Sequence, residues 1–140
     1  MTGVQTCALP IYEIHYEGIE KDVIDLVNKY ELKNRVILSS FNHESIKISR
    51  EIDSEFKTGL LYYQPIKDVV NYAKDFGANA IHPDIRLVSE ELIKEAKENN
   101  IDVNIYTVNT PILMRKLISA GVSGVFTDYP DLLQEIINNG

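Results

Sequence analysis

Apolar residues recur along this chain in two alternating rhythms, and the alternation predicts one leading helix followed by five strand–helix units. Ile19, Val23, Leu26, Val27 and Tyr30 recur at helical spacing, which predicts an amphipathic helix with those residues turned inward. Arg35-Val36-Ile37-Leu38-Ser39 is a short apolar run of the kind that forms a buried strand. Asn42 is placed to cap a helix over residues 43–53 that carries Ile46 and Ile52 inward, the weakest periodicity of the set. Thr58 to Tyr62 reads as the next strand. Ile66, Val69, Val70, Ala73 and Phe76 then form a helical stripe closed by Gly77. Asn79 to His82 is a strand, and Ser89 caps a helix with Leu92, Ile93 and Ala96 inward. Val103 to Tyr106 is a strand, Thr110-Pro111 starts a helix with Leu113, Met114, Leu117 and Ile118 on one face, and Gly121 ends it. Gly124 to Thr127 is the last strand, and Pro130 opens a helix carrying Leu132, Leu133, Ile136 and Ile137.

Strands that alternate with helices predict a parallel sheet covered by helices. Two architectures satisfy the pattern: the C-terminal five βα units of a (β/α)8 TIM barrel, or a five-stranded doubly wound parallel sheet. A length of 140 residues excludes a complete barrel, which takes ~250 residues. The repetition is architectural, with no residue-level self-similarity, which disfavours a solenoid. Residues 1–11 (MTGVQTCALPI) follow neither rhythm and read as an extraneous leader, or else as a natural terminus, ahead of a domain over residues 12–140. Cys7 falls in that leader and is given no chemistry. A single cysteine makes no internal disulfide.

Charge narrows the partners. Fourteen Lys and Arg against 21 Asp and Glu leave a net charge of −7, which opposes sequence-independent binding of nucleic acid. The same surface opposes any anionic substrate unless a metal or local dipoles intervene. No apolar stretch approaches the ~18 residues of a membrane span, so no transmembrane segment is expected. Cytoplasm is the default compartment only.

In either architecture ligands bind at the carboxyl ends of the strands. Those ends carry Ser39-Ser40-Phe41-Asn42, Tyr62-Tyr63-Gln64, His82-Pro83, Tyr106-Thr107-Val108-Asn109 and Thr127-Asp128-Tyr129. His82 is either a ligand-contacting histidine or a satisfied, partly buried one. His43 is expected exposed in a helix's first turn, and His15 is expected to do no chemistry. Asp128 either binds a ligand or metal or caps the helix begun by Pro130. Asn109 either bonds a substrate or orders the turn before Thr110. Phe41 and Tyr106 either stack on a substrate or complete the core at the rim. The chain has no Gly-rich phosphate loop, no nucleophile elbow and no convincing metal-ligand spacing.

Four strings add to this: S-S-F-N-H at 39–43, I-H-P at 81–83, Y-T-V-N at 106–109 and G-V-S-G-V-F-T-D-Y-P at 121–130. In order and spacing they resemble the C-terminal part of the glycerophosphodiester phosphodiesterase family, from about residue 14 to the end of the chain. Tyr106 stands where the family has a tryptophan. The resemblance implies a (β/α)8 barrel that hydrolyses glycerophosphodiesters to glycerol 3-phosphate and an alcohol with a divalent cation, Mg²⁺ or Ca²⁺. It also implies that Ser40, Phe41, His82, Tyr106, Asn109 and Asp128 line the substrate pocket. The family's catalytic His-Arg, Glu-x-Asp, second His and Glu-x-Lys elements have no counterpart here. The chain therefore reads as a fragment that is inactive alone and binds no cation by itself. Self-association through open barrel edges is expected. The competing reading is a non-catalytic α/β module that binds a small ligand or a partner.

Overall fold

Each predicted strand runs parallel to the next one in the chain, and the helices between them pack on one face. A computed structural model describes residues 10–140. The elements are β1 (Ile11–Glu13), α1 (Glu20–Lys29), β2 (Ile37–Ser40), α2 (His43–Ile52), β3 (Lys57–Tyr62), α3 (Val69–Asp75), β4 (Ala80–Pro83), α4 (Glu90–Glu98), β5 (Asp102–Ile105), α5 (Pro111–Ala120), β6 (Gly124–Val125) and α6 (Pro130–Asn139). The six strands form one sheet in the order β1-β2-β3-β4-β5-β6, every pair parallel. A doubly wound sheet reverses its strand order at a switch point. This sheet has no reversal, so the chain is an incomplete (β/α) barrel and the alternative architecture is excluded.

The sequence pattern predicted five strands, and β1 is a sixth. Most of the leader, residues 1–9, lies outside the described residues, while Ile11 stands in register with Ile37 and Glu13 with Ser39. β6 is shorter than the expected 124–127.

Local chemistry sets the helix boundaries. Asn42 accepts from the Glu44 N–H at 3.1 Å and Ser89 from the Leu92 N–H at 3.1 Å, so both cap as expected. Pro111 and Pro130 occupy first-turn positions where a missing N–H costs nothing. Thr110 precedes Pro111 but its side chain makes no capping bond. Gly77 and Gly121, at φ +70° and +86°, close α3 and α5 in the left-handed region.

Alternation along the strands separates two faces. Leu38, Leu60, Ile81, Val103 and Ile105 face the helices and are buried. Leu60, Ile81, Val103 and Ile105 meet Ile46, Val70, Ala73, Ala96, Met114 and Leu117 from the helices, while Leu38 joins a smaller cluster of Ile24, Val27, Val36 and Phe56 under α1. Two expected stripes are rotated. In α1, Ile24 and Val27 are buried, whereas Leu26 and Tyr30 are exposed and Ile19 lies at the solvent boundary. In α2, Ile46 is buried and Ile52 exposed, and Leu113 of α5 is also at the surface.

The reason lies between α1 and α2. Glu20, 2 % exposed, accepts from Ser45 Oγ at 2.6 Å and from the Gly18 N–H at 2.9 Å. Burial works against the Glu20 carboxylate. The hydrogen bonds from Ser45 and from the backbone outweigh it and leave its pKa below the ordinary value. Ser49, also buried, donates to the Ser45 carbonyl at 2.8 Å. A polar seam thus replaces part of the apolar one, which is why the periodicity of α2 is weak.

Among the described residues β1 and β6 each pair on one side only. Unpaired parallel edges are templates for association. We expect the 140-residue chain on its own to self-associate, read by sedimentation velocity. A monomer with sharp near-ultraviolet circular dichroism would contradict this.

Candidate functional site: an aromatic wall at the strand ends

The inner face of the sheet converges on His82. Ser39 of β2, Gly59 of β3, His82 of β4 and Asn104 of β5 share this face. His82 is fully buried, with Nδ1 2.8 Å from Ser39 Oγ and Nε2 3.0 Å from Asn104 Nδ2. Its ring lies over Gly59, whose missing side chain leaves the space that the imidazole fills. Burial pushes the His82 pKa down to about 4, so the ring is neutral near pH 7. As oriented, the Asn104 amide donates to Nε2, which puts the ring proton on Nδ1, donated to Ser39. His82 therefore holds no free lone pair for the Ser39 proton, and the pair is not an activated nucleophile.

Aromatic rings climb from this floor to the rim. Phe126 packs edge-on against His82 at 5.2 Å and against Tyr106 at 6.2 Å. Phe41 meets Tyr106 at 6.1 Å and Tyr63 at 5.7 Å. Phe41 and Tyr63 are 45 % and 56 % exposed, an apolar surface at the face where a pocket is expected. Tyr106 is fixed by its hydroxyl, which donates to the Tyr62 carbonyl at 2.9 Å. Burial first, then the charge of Asp84, raises the Tyr106 pKa, with a smaller contribution from Glu13. Replacing Tyr106 by Phe removes one bond to a carbonyl that still accepts from the Asp84 N–H at 3.0 Å. The expected cost is about 1 kcal/mol, read as a shift of the urea midpoint.

The six residues singled out from sequence fall into three settings. Phe41 and Tyr106 are on the wall, and His82 is its floor. Asn109 and Asp128 form a rim network. Asn109 Nδ2 donates to Asp128 Oδ2 at 2.8 Å, and Asn109 Oδ1 accepts from the Asp128 N–H at 3.0 Å and from Thr127 Oγ1 at 3.3 Å. Asn109 thus orders its turn, and Asp128 serves Asn109 rather than capping α6, whose N-cap residue is Tyr129 and makes no side-chain capping bond. Ser40 is buried on the helix side of β2, where its Oγ donates to the Ile14 carbonyl at 2.7 Å and accepts from the Asn42 N–H at 3.0 Å.

His43, expected exposed, is half-buried. Nε2 lies 2.7 Å from the Leu61 carbonyl and Nδ1 2.9 Å from the Tyr72 hydroxyl, so it ties α2 to β3 and α3. Residues given no role from sequence also belong here: Ser39, Gly59 and Asn104 around His82, Phe126 and Tyr63 in the wall, and Glu13 at the end of β1. Period-two parity offers a signal for Ser39 over Ser40, once Ser39 is set opposite Gly59.

Among the described residues no three His, Cys, Asp or Glu side chains converge on a position for one metal ion. The residues present do not fit a divalent-cation site. They form a surface on which a substrate could lie. No helix among them is long and apolar enough to cross a membrane.

Parallel strands in sequential order with polar and aromatic groups at their carboxyl ends define part of a (β/α)8-type barrel protein. Residues 2–132 match the model of the glycerophosphoryl diester phosphodiesterase family. The chain belongs to that family. It is 34% identical over 128 residues to YqiK of Bacillus subtilis, covering 90% of this chain and 53% of that protein. It is 33% identical over 125 residues to the glycerophosphodiester phosphodiesterase of Caldanaerobacter subterraneus, covering 89% and 51%. The chain thus spans about half the length of these curated relatives. A glycerophosphodiester phosphodiesterase of Parabacteroides distasonis shares the fold, with TM-score 0.81 at 20% identity over 92% of this chain and 56% of that one. So does the Oleispira antarctica phosphodiesterase solved with sn-glycerol-3-phosphate, with TM-score 0.75 at 22% identity over 90% and 53%.

Proposed function

We propose that this chain forms the substrate-facing wall of a metal-dependent phosphodiesterase that hydrolyses glycerophosphodiesters to glycerol 3-phosphate and an alcohol. We propose also that it is inactive by itself. One observation carries both parts: the strand ends present an aromatic surface, while among the described residues no group of acids or histidines gathers there into a cation site. Such a surface binds and orients a substrate but has nothing to screen a phosphodiester charge or to move its proton. A divalent cation, Mg²⁺ or Ca²⁺, supplies that screening when bound by residues other than these. The family match and the named relatives support the substrate class.

In this reading Phe41, Tyr106 and Phe126 offer apolar area to the carbon skeleton of the substrate. The Asn109–Asp128 network holds the β5 and β6 loops in place around it. His82, neutral and enclosed, shapes the floor without touching the reacting atoms.

The test joins this chain to the N-terminal half of the Caldanaerobacter enzyme. Both the hybrid and the 140-residue chain are assayed on glycerophosphocholine, with and without EDTA. The hybrid should turn over substrate and lose that turnover to chelator, while the chain alone stays at the uncatalysed rate. A folded hybrid inactive on glycerophosphodiesters rejects the proposed activity. Chelator-sensitive turnover by the chain alone rejects its inactivity.

A further inference from the structure

The loop after β4 carries a feature that the aromatic wall does not explain. Asp84 caps the short turn Ile85–Leu87, which contains Arg86 and is joined to the end of β5 by the Ile85 N–H donating to the Tyr106 carbonyl at 2.8 Å. Arg86 Nε donates to Asp84 Oδ1 at 2.8 Å and Nη2 to Asp84 Oδ2 at 2.9 Å. The Arg86 N–H adds a bond to Asp84 Oδ1 at 2.9 Å. These bonds hold the Asp84 carboxyl below its usual range, and they fix a side chain that is otherwise free in solvent. Both side-chain bonds use one edge of the guanidinium. The remaining N–H groups stay available for a ligand.

This cation is nearly alone at the mouth. Across the strand-to-helix segments 14–19, 41–42, 63–68, 84–89, 106–110 and 126–129, Lys67 and Arg86 are the only Lys or Arg. Four acids of the same rim are hydrogen-bonded within the protein. Glu17 accepts from Asn42 Nδ2 at 2.6 Å, Asp68 from Asn71 Nδ2 at 2.9 Å and Asp128 from Asn109. Glu13 lies 3.7 Å from His15 Nε2, and Asp84 is taken by Arg86. A trimethylammonium group favours aromatic faces beside an unengaged carboxylate. Here four of the rim carboxylates already accept hydrogen bonds from other side chains, and the guanidinium held by Asp84 sits on the loop that Ile85 joins to Tyr106 of the aromatic wall.

We propose that Arg86, held by Asp84, is a specificity-determining residue that selects glycerophosphodiesters whose leaving alcohol is a polyol over those carrying a quaternary ammonium. Its free N–H groups donate to hydroxyl oxygens that a choline head group lacks. Tyr63 and Phe41 offer flat faces to the C–H groups of a polyol. This inference rests on the phosphodiesterase reading and adds to it the chemistry of the head group.

In the hybrid described above, kcat/KM for glycerophosphoglycerol should exceed that for glycerophosphocholine by about tenfold or more, the size expected of a hydrogen bond from a charged donor. Arg86→Gln should bring that ratio close to one through a higher KM for glycerophosphoglycerol. Arg86→Lys should restore it only in part, because an ammonium keeps the charge but not the fork. Turnover with no preference, or a preference that Arg86→Gln leaves in place, overturns the selectivity and leaves the phosphodiesterase reading standing. Absence of turnover on both substrates counts against that reading instead, and the selectivity is then read on the chain itself. Inositol 1-phosphate should shift the Arg86 Nε–H resonance and phosphocholine, with the same phosphate, should not. Equal shifts, or none, overturn the proposal.

Discussion

Alanine at Gly59 is expected to destabilise the fold by about 2 kcal/mol or more, at the upper end of what overpacking a core costs. The cause is local. A Cβ built on Gly59 lies 2.2 Å from His82 Cε1, 2.4 Å from Nε2 and 2.7 Å from Nδ1, far inside ordinary van der Waals contact. The ring has little room to retreat. Ser39 holds one nitrogen, Asn104 the other, and Phe126 packs against its face at 5.2 Å. The β3 backbone cannot move away either, because Gly59 is registered with Ser39 on one side and Ala80 on the other. The measurement is the urea midpoint at one fixed protein concentration, which keeps self-association constant across variants. Pairing Gly59→Ala with His82→Ala sharpens it. Removing the imidazole also strands Ser39 and Asn104, but that loss is common to the single and double variants. The double variant should be more stable than the sum of the two single losses allows, because the added methyl then enters the space the ring has left. Strict additivity would show that the clash is relieved elsewhere.

The same pair of residues shows why part of this molecule was legible in its sequence and part was not. Strand and helix order could be read because burial on two faces imposes two periods, and those periods survive in Leu60, Ile81, Val103 and Ile105 against Val70, Ala73, Ala96 and Met114. The location of a site at the strand ends follows from the same alternation. Harder to see were contacts made by polar groups across distance. Glu20 and Ser45 are separated by 25 residues, and their buried bond displaces the apolar stripe by which a helix face is recognised. His43 and Tyr72 are 29 apart, and nothing local marks them as partners. Adjacent serines at 39 and 40 look interchangeable as a string. Only the register with Gly59 turns Ser39 toward His82 and Ser40 toward Ile14. β1 has three residues, too few for any period to show. Arg86 reads as an ordinary surface charge until Asp84, two residues earlier, is seen to fix it.

Acidification should weaken the fold well before the carboxylates protonate, and His82 is the reason. Its folded pKa is about 4 against an ordinary 6.5, so between those values the unfolded chain binds a proton that the folded chain refuses. Stability contributed by this depressed group is therefore fully present above pH 6.5 and is lost as pH falls toward 4. The size is about 3 kcal/mol, from roughly 1.4 kcal/mol per pKa unit. Glu20, Asp53 and Asp84, whose pKa values are lowered, stabilise above their unfolded values of 4.5, 3.8 and 3.8. Their loss begins mainly where the His82 effect is ending, so the two contributions separate along the pH axis. Urea midpoints at closely spaced pH values should fall steadily across the upper window in the parent chain. His82→Gln, which keeps a hydrogen-bonding side chain without a titrating ring, should be nearly flat there and should steepen only below it. A variant as steep as the parent would move the acid sensitivity to another group. The neutrality of His82 bears on the site as well. If the proposed function holds, a phosphodiester at this mouth meets an uncharged floor, and any attraction it finds among these residues must come from the rim, where Arg86 is held in place by Asp84.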